Sequence, residues 1–452
     1  MTLDGLHREV VVIGAGQAGL SISSCLTRRG VDHLVVERDE AGHEWRDRRW
    51  ESFCLVTPNW QCALPGYDYA TDHGGTDPDG FMVRDEIVDY LRKYVESFAP
   101  PLVEHTAVTS LRRDRVGFAV GTERGTVTAE QVVVATGPYQ LPKIPSTAER
   151  LPAGITQLHS SQYRGPEQPP PGAVLVVGTG QSGCQIAEDL HLAGRQVHLA
   201  TGTAPRVARR YRGRDVVAWL DLMGYYQRGI DTFPDADAVR FRANHYVTGR
   251  DGGHDIDLRA FARDGMRLHG RLAAITGSSV EFADDLAANL DGADRTSESI
   301  KDAIDAFIVE IGSDAPTEER YTPVWTPGPY EPSLDLVAAG ITTVIWSTGF
   351  HRDDSWIRLP VFDGRGLPVH TRGVTEVPGV YMIGLPWLWT WGSGRFCGVG
   401  DDAEHVAAHI VRHRDGADME QAAADGRWLA GPRRPVHRVR PADELFAPRT
   451  VA

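Results

Sequence analysis

The 452 residues predict an α/β fold built from two Rossmann-like units, and three observations carry that expectation. An apolar run at residues 10–13 leads straight into Gly14-Ala15-Gly16-Gln17-Ala18-Gly19. The same pattern restarts at residues 174–177, which lead into Gly178-Thr179-Gly180-Gln181-Ser182-Gly183. Behind each turn come a helical stretch and a second short apolar run, the order of a strand–helix–strand unit. A lone Gly-x-Gly-x-x-Gly is weak evidence, but two in matching context amount to an internal duplication.

The three glycines do different things. The first allows a sharp turn, the second lets a pyrophosphate approach the backbone, and the third lets helix and strand pack closely. The helix N-terminus then offers free N–H groups and a partial positive charge to that pyrophosphate. Two dinucleotide-binding domains are therefore expected.

The elements follow in order. A helix at 18–29 is closed by Gly30, and the run 34–36 ends at Glu37. Residues 42–50, dense in Trp and Arg, read as a loop, and turn chemistry continues to Gly80. Residues 84–98 have helical periodicity, with Ile87, Val88, Leu91 and Val95 on one face, and Pro100-Pro101 stops them. Strands are expected at 107–112, 116–120 and 126–129, then a separate buried strand at 132–134 that runs into Ala135-Thr136-Gly137. A proline-rich linker at 166–172 is expected to separate the domains. The second unit then has its helix to 193 and a strand at 196–200.

Residues 213–319 exceed what that unit needs and read as a partly helical insertion, with helices at 216–226, 256–268 and 297–311. The run 344–346, ending in Ser347-Thr348-Gly349, closes the second unit. The chain returns to the first domain with a strand that ends at Gly384 and a helix at 401–412. The expected first domain is thus discontinuous, 1–165 with 351–412. Residues 166–350 form the second, and 413–452 are a tail, loosely held or in an oligomer contact.

Composition narrows the class. A formal net charge of −14 argues against general binding to nucleic acid or anionic membranes. No apolar stretch reaches the roughly 18 residues of a membrane span. The first strand starts within ten residues of Met1, which leaves no room for a signal peptide. Five scattered cysteines without Cys-x-x-Cys read as free thiols in a reducing cytoplasm. The expectation is a cytoplasmic protein with no metal, no nucleic-acid partner and no membrane anchor; a homodimer is compatible.

The two fingerprints differ at one informative position. Glu37 stands 18 residues past Gly19, close to where this fold sets a carboxylate on ribose hydroxyls, about 20 residues on. The same offset from Gly183 reaches Thr201. A carboxylate repels a 2′-phosphate and Thr201 does not. Arg206, Arg209 and Arg210, just beyond, could bind such a phosphate, or form a plain basic turn. The first site suits a free ribose, as in FAD or NAD, and the second suits NADPH. Two dinucleotides side by side suggest hydride transfer from NADPH to a flavin. Cys54 and Cys62 are wrongly spaced for a redox dithiol, so the electrons go to dioxygen, a quinone or a protein.

Asn59, Trp60, Gln61, Trp387, Trp389, Trp391 and Arg395 are the candidates for a reaction pocket. The three tryptophans, at i, i+2 and i+4, would share one side of an extended chain. There they stack on a flavin, wall a substrate cavity or plug the interdomain core. Arg395 holds a substrate carboxylate, a flavin carbonyl or a structural ion pair.

These residues resemble the flavin-containing monooxygenase family in the broad sense, including the plant auxin-forming enzymes and many bacterial relatives. The likeness runs through the first fingerprint, residues 42–50, Thr57-Pro58, Ala135-Thr136-Gly137, residues 178–183 and Ser347-Thr348-Gly349-Phe350. It includes His159-Ser160-Ser161-Gln162-Tyr163, the second half of a family interdomain motif. Ala153 and Ile155 depart from its first half, where Phe and Gly belong, so this motif assigns no subgroup. The resemblance implies FAD against Gly14, Gly16, Gln17, Ala18, Gly19, Glu37 and Arg38. Around these it implies Trp45, Arg46, Trp50, Thr57, Val108, Ala135, Thr136, Gly137 and Gly384. It implies NADPH against Gly178, Gly180, Gln181, Ser182, Gly183, Thr348 and Gly349, with Thr201, Arg206, Arg209 and Arg210 at its adenosine end. His159 would hold the interdomain hinge.

The implied reaction is reduction of FAD by NADPH, then addition of dioxygen to give a C4a-hydroperoxide. That adduct oxygenates a small nitrogen or sulfur nucleophile or a carbonyl. The alternatives are an NADPH-dependent flavin oxidoreductase or oxidase without oxygen insertion, and a protein that senses NADP without turnover.

Overall fold

In the strand Leu6–Ile13 the side chains alternate between two cores. Val10 and Val12 pack with the helices on one face, and Val11 and Ile13 with Val132 and Val134 on the other. Period-two burial on both faces is what a central parallel strand requires. The computed structural model, which describes residues 2–115 and 117–416, sets this strand between His33–Val36 and Gly125–Val134, both parallel to it. Leu102–Val103 and Val380–Met382 extend the sheet on either side, also in parallel. Helix Gln17–Arg28 follows the first glycine turn, and Arg84–Phe98 lies at its expected bounds. The latter buries Ile87, Tyr90, Leu91 and Tyr94, and the Glu86 carboxylate caps the Val83 N–H at 3.0 Å.

The second sheet is all parallel, in the order Thr156–His159, Ile341–Trp346, Ala173–Val177, Val197–Ala200, Arg267–His269. Its central strand alternates in the same way: Val174 and Val176 face one core, Leu175 and Val177 the other. Helix Gln181–Leu192 follows the second glycine turn. The two crossings between the domains pair with each other, Phe350 opposite Pro142 and His351 opposite Leu141.

Several expectations need correction. Residues 43–47 form a short helix, His43–Asp47, not a loop. The two strands expected at 126–129 and 132–134 are one, because Gly125–Val134 closes a hairpin at one end and joins the parallel sheet at the other. The proline-rich segment 166–172 connects two strands of the second sheet and does not separate the domains, since Thr156–His159 already pairs with Ile341–Trp346. Arg195 donates to the carbonyls of Pro166, Pro169, Pro170 and Gly172 and holds that segment against the domain.

The region 213–319 is not one insertion. Arg267–His269 is a strand of the second sheet, where a helix was expected. Leu272–Thr276, Ser279–Phe282 and Ser333–Asp335 form a small antiparallel sheet beside it. Two excursions remain, one before Arg267 and one between Phe282 and Ser333. They meet where Val216–Leu222 and the 26-residue helix Leu286–Ile311 share a core of Trp219, Ile304 and Phe307. The last helix, Val399–Arg414, packs on Gln17–Arg28. The expected tail lies outside the described residues from 417 onward.

Candidate active site

The glycine turns are built by steric necessity. Gly14 has φ +106°, and a Cβ there would sit 2.8 Å from the Ala135 carbonyl oxygen. Gly178 has the same φ and the same conflict with the Ser347 carbonyl, at 2.6 Å. A Cβ on Gly19 or Gly183 would fall on the carbonyl of the first glycine of its own turn. At Gly16 and Gly180 nothing lies within 4 Å, and both N-cap a helix without a side-chain cap. Each helix thus presents uncapped N–H groups to open space.

A single cavity of about 710 Å³ joins the two turns. On the first side Gly14, Gly16, Gln17 and Ala18 reach it, with Glu37 and Arg38 at the strand end. The Glu37 carboxylate accepts from the Ala15 N–H at 2.7 Å and the Asp39 N–H at 2.9 Å, so it faces the glycine turn. Trp45, Trp50, Thr57, Val108, Ala135, Thr136, Gly137 and Gly384 also line the cavity. Gln17 fixes this wall: its amide oxygen accepts from the Trp45 ring N–H at 3.1 Å, and its amide nitrogen donates to the Gly394 carbonyl at 3.2 Å. Trp45 stacks on Phe396 at 5.5 Å, and the Arg49 guanidinium lies over Trp45 at 5.2 Å. Burial pushes Arg49 below its ordinary value.

From the second side come Gly180, Gln181, Ser182 and Gly349. Ser347 lines the cavity too, and among the described residues its buried hydroxyl finds no hydrogen-bond partner. His159 bonds the Gly349 carbonyl at 2.9 Å and the Ser161 hydroxyl at 2.9 Å; burial lowers its pKa and keeps it neutral. It braces the hinge strand against the return crossing, where its ring meets Phe350 edge-on.

Other expected site residues lie elsewhere. Asn59 is buried in structural bonds, accepting from the Met82 N–H and donating to the Asp77 carbonyl, and Gln61 is buried beside it. Neither lines the cavity. The three tryptophans are not on one side of an extended strand, because Trp387 has φ +52° in a run of turns. Trp387 packs with Ile230, Val239 and Phe233, and Trp389 lies under Arg372. Only Trp391 of the three reaches the cavity, together with Arg395. Arg46 is exposed and pairs with Glu40 and Asp47. Gly19, Gly178 and Gly183 serve the turns from behind, and Thr348 donates to the Lys143 carbonyl across the crossing.

The adenosine end of the second unit is the main correction. Thr201 is buried and donates to the His269 carbonyl at 2.8 Å. Arg206 is buried against Asp294 at 2.6 Å, over the Tyr321 ring. Arg209 is buried against Asp215 at 2.5 Å and donates to the Val56 carbonyl of the first domain at 2.7 Å. Arg210 is exposed, with one long bond to the Gly252 carbonyl. The first two guanidinium groups are already neutralised and do not form a phosphate cluster. Missed from sequence were Arg48, Arg49 and Phe53 on one wall and Tyr225, Tyr226 and Asn244 on the other. The Arg- and Trp-rich run at 46–50 and the Tyr225-Tyr226 doublet were the available signals.

Two glycine turns opening on one cavity define a two-dinucleotide oxidoreductase architecture. The family model for pyridine nucleotide-disulphide oxidoreductases matches residues 11–249, and the chain belongs to that family. It is 32% identical over 409 residues to an uncharacterized CzcO-like oxidoreductase of Geobacillus kaustophilus, covering 90% of this chain and 99% of the relative. Over 204 residues it is 32% identical to the rice indole-3-pyruvate monooxygenase YUCCA1, covering 44% of this chain and 49% of that one. Its fold is similar to that of a flavin-containing monooxygenase from Stenotrophomonas maltophilia, with TM-score 0.62, 20% identity, and coverage of 90% and 99%. The protein is an oxidoreductase, and the resemblance read from its sequence stands. Among the described residues no helix is long and apolar enough to cross a membrane.

Proposed function

We propose that the protein is an FAD- and NADPH-dependent monooxygenase. The single observation that carries this reading is the shared cavity, into which both uncapped helix N-termini open. The first turn fits FAD: Gly16 leaves the pyrophosphate space open, and Glu37 offers a carboxylate to the ribose. Gly180, Gln181 and Ser182 fit a nicotinamide dinucleotide, and the Ser347 hydroxyl offers it one more bond. A bound flavin supplies hydride acceptance and activation of dioxygen. The chain's own residues exclude water with Trp45, Trp50 and Trp391, and orient the aromatic wall through Gln17.

Disulfide chemistry has no support here, because none of the five free cysteines lines the cavity. The test is NADPH and oxygen consumption against a panel of amines, thioethers, ketones and acids, with peroxide measured alongside. Oxygen uptake coupled to product is expected. Peroxide equal to NADPH under every substrate would make the protein an oxidase instead.

A further inference from the structure

Beyond the two glycine turns the same cavity is also lined by residues of the excursion that follows the second unit, and this part of its wall is taken as one arm. Val216, Leu220 and Ile300 wall it, with Tyr225 and Tyr226 packed against the same core. On the same lining the Arg395 guanidinium lies 3.7 Å over the Trp391 ring, which itself meets Tyr226 at 4.8 Å. The other partners of Arg395 are neutral. It donates to the Trp391 carbonyl and, at 3.0 Å, to the Asn244 side-chain oxygen. Among the described residues no carboxylate forms an ion pair with it, whereas Arg209, on the same cavity, is tied to Asp215. His245 lines the arm, and burial pushes it down to about 4, so it carries no charge at neutral pH. An apolar wall carrying an unneutralised, ring-stacked cation calls for an anion with an apolar body. The planar fork of a guanidinium suits a carboxylate.

We infer that this arm takes an aromatic carboxylic acid as the substrate, its ring between Leu220 and Tyr226 and its carboxylate on Arg395. The inference rests on the oxygenase reading for what happens next, but binding itself does not depend on it. Arg395 is a specificity-determining residue in this arrangement, and Trp391 and Asn244 hold its guanidinium in place.

The experiment is isothermal titration calorimetry on the purified full chain with phenylacetate, phenylacetamide and acetate. Wild-type protein should bind phenylacetate about tenfold more tightly than the isosteric amide, since a charge-assisted pair typically exceeds a neutral one by that order. Acetate, which lacks the ring, should bind more weakly than either. Arg395→Gln should bind acid and amide alike while keeping the wild-type flavin content. Leu220→Trp should weaken phenylacetate about tenfold by filling the arm and keep the preference for acid over amide. Equal binding of acid and amide by wild type overturns the proposal, and that comparison decides even where Arg395→Gln does not fold. Flavin loss from a folded Arg395→Gln also overturns it, because Arg395 would then belong to the cofactor. Colourless wild-type protein that binds no added FAD sinks the oxygenase reading alone, and the calorimetry still decides the chamber.

Discussion

Gly14, Gly16 and Gly19 in the first unit and Gly178, Gly180 and Gly183 in the second make the same turn, yet the strands beside them end in opposite surroundings. The backbone match is close: the Gly14 N–H donates to Val36 and the Gly178 N–H to Ala200, at 2.8 and 2.9 Å. One residue later the units part. Glu37 turns its carboxylate back to the glycine turn, whereas Thr201 is buried and turns its hydroxyl to the neighbouring strand. Local sterics therefore fix the turn wherever the glycines occur, but long-range contacts decide what reads the ribose.

The strongest way to break this comparison is to fill the open glycine of each turn. A Cβ at Gly16 or Gly180 meets no protein atom, so valine there should fold and obstruct only the ligand. Gly16→Val should lower FAD affinity about 100-fold or more and yield colourless protein. Gly180→Val should keep its yellow colour and lose NADPH-driven flavin reduction by a similar factor. Flavin loss from both variants, seen in the absorbance of purified protein, would mean that the two turns do not hold different nucleotides.

A smaller effect tests whether Arg209 reads phosphate or holds the domains. Its removal strands the Asp215 carboxylate and the Val56 carbonyl and empties a contact with Phe81 across the domain boundary. Arg209→Ala should cost about 3 kcal/mol, the scale of breaking a buried pair from one side. Thermal denaturation checks this as a lower midpoint. A stable variant with selectively weakened NADPH would restore the phosphate role.

Acid should loosen the second unit through a pair that the first lacks. His198 and His269 occupy the positions of Leu34 and Val103, and their rings stack, buried, with nitrogens 3.0 Å apart. Burial holds both near 4, below the unfolded value. The unfolded chain then binds more protons between those values. Stability is full above about pH 6.5 and is lost as pH falls toward 4. His198→Leu with His269→Val should recover about 2 kcal/mol at pH 5 and much less at pH 7.5, read from denaturation midpoints at both. An equal change at the two pH values would assign the effect to packing.

What the sequence disclosed follows the same division. The alternating strands, the glycine turns and helix Arg84–Phe98 were legible because their causes lie within a few residues. Arg206 and Arg209 were not, because Asp294 and Val56 lie 88 and 153 residues away along the chain. The tryptophan triplet misled for a local reason: the i, i+2 rule assumes an extended backbone, and Trp387 sits at positive φ. The strand Arg267–His269 was hidden by its length, three residues directly after a helix and a turn. Of the candidate site, the first unit's wall was largely readable and the chamber around Tyr225, Tyr226 and Asn244 was not, since both excursions build it.

The smallest expected effect bears on the cofactor itself. Strong selection of NADPH over NADH needs an unpaired cation beside the 2′-phosphate, and selection against it needs an acid such as Glu37. Among the described residues neither bonds Thr201: Arg206 pairs with Asp294, and Asn289 donates to the threonine hydroxyl at 3.3 Å. NADPH should therefore support turnover, with NADH within about tenfold of it in kcat/KM, a difference of about 1.4 kcal/mol. Thr201→Glu should move that ratio toward NADH by adding the missing carboxylate. Steady-state kinetics with both nucleotides check the two values together. A preference for NADPH of a hundredfold or more in wild type would mean that Arg206 leaves Asp294 for the phosphate. Asp294→Asn should then sharpen the preference further.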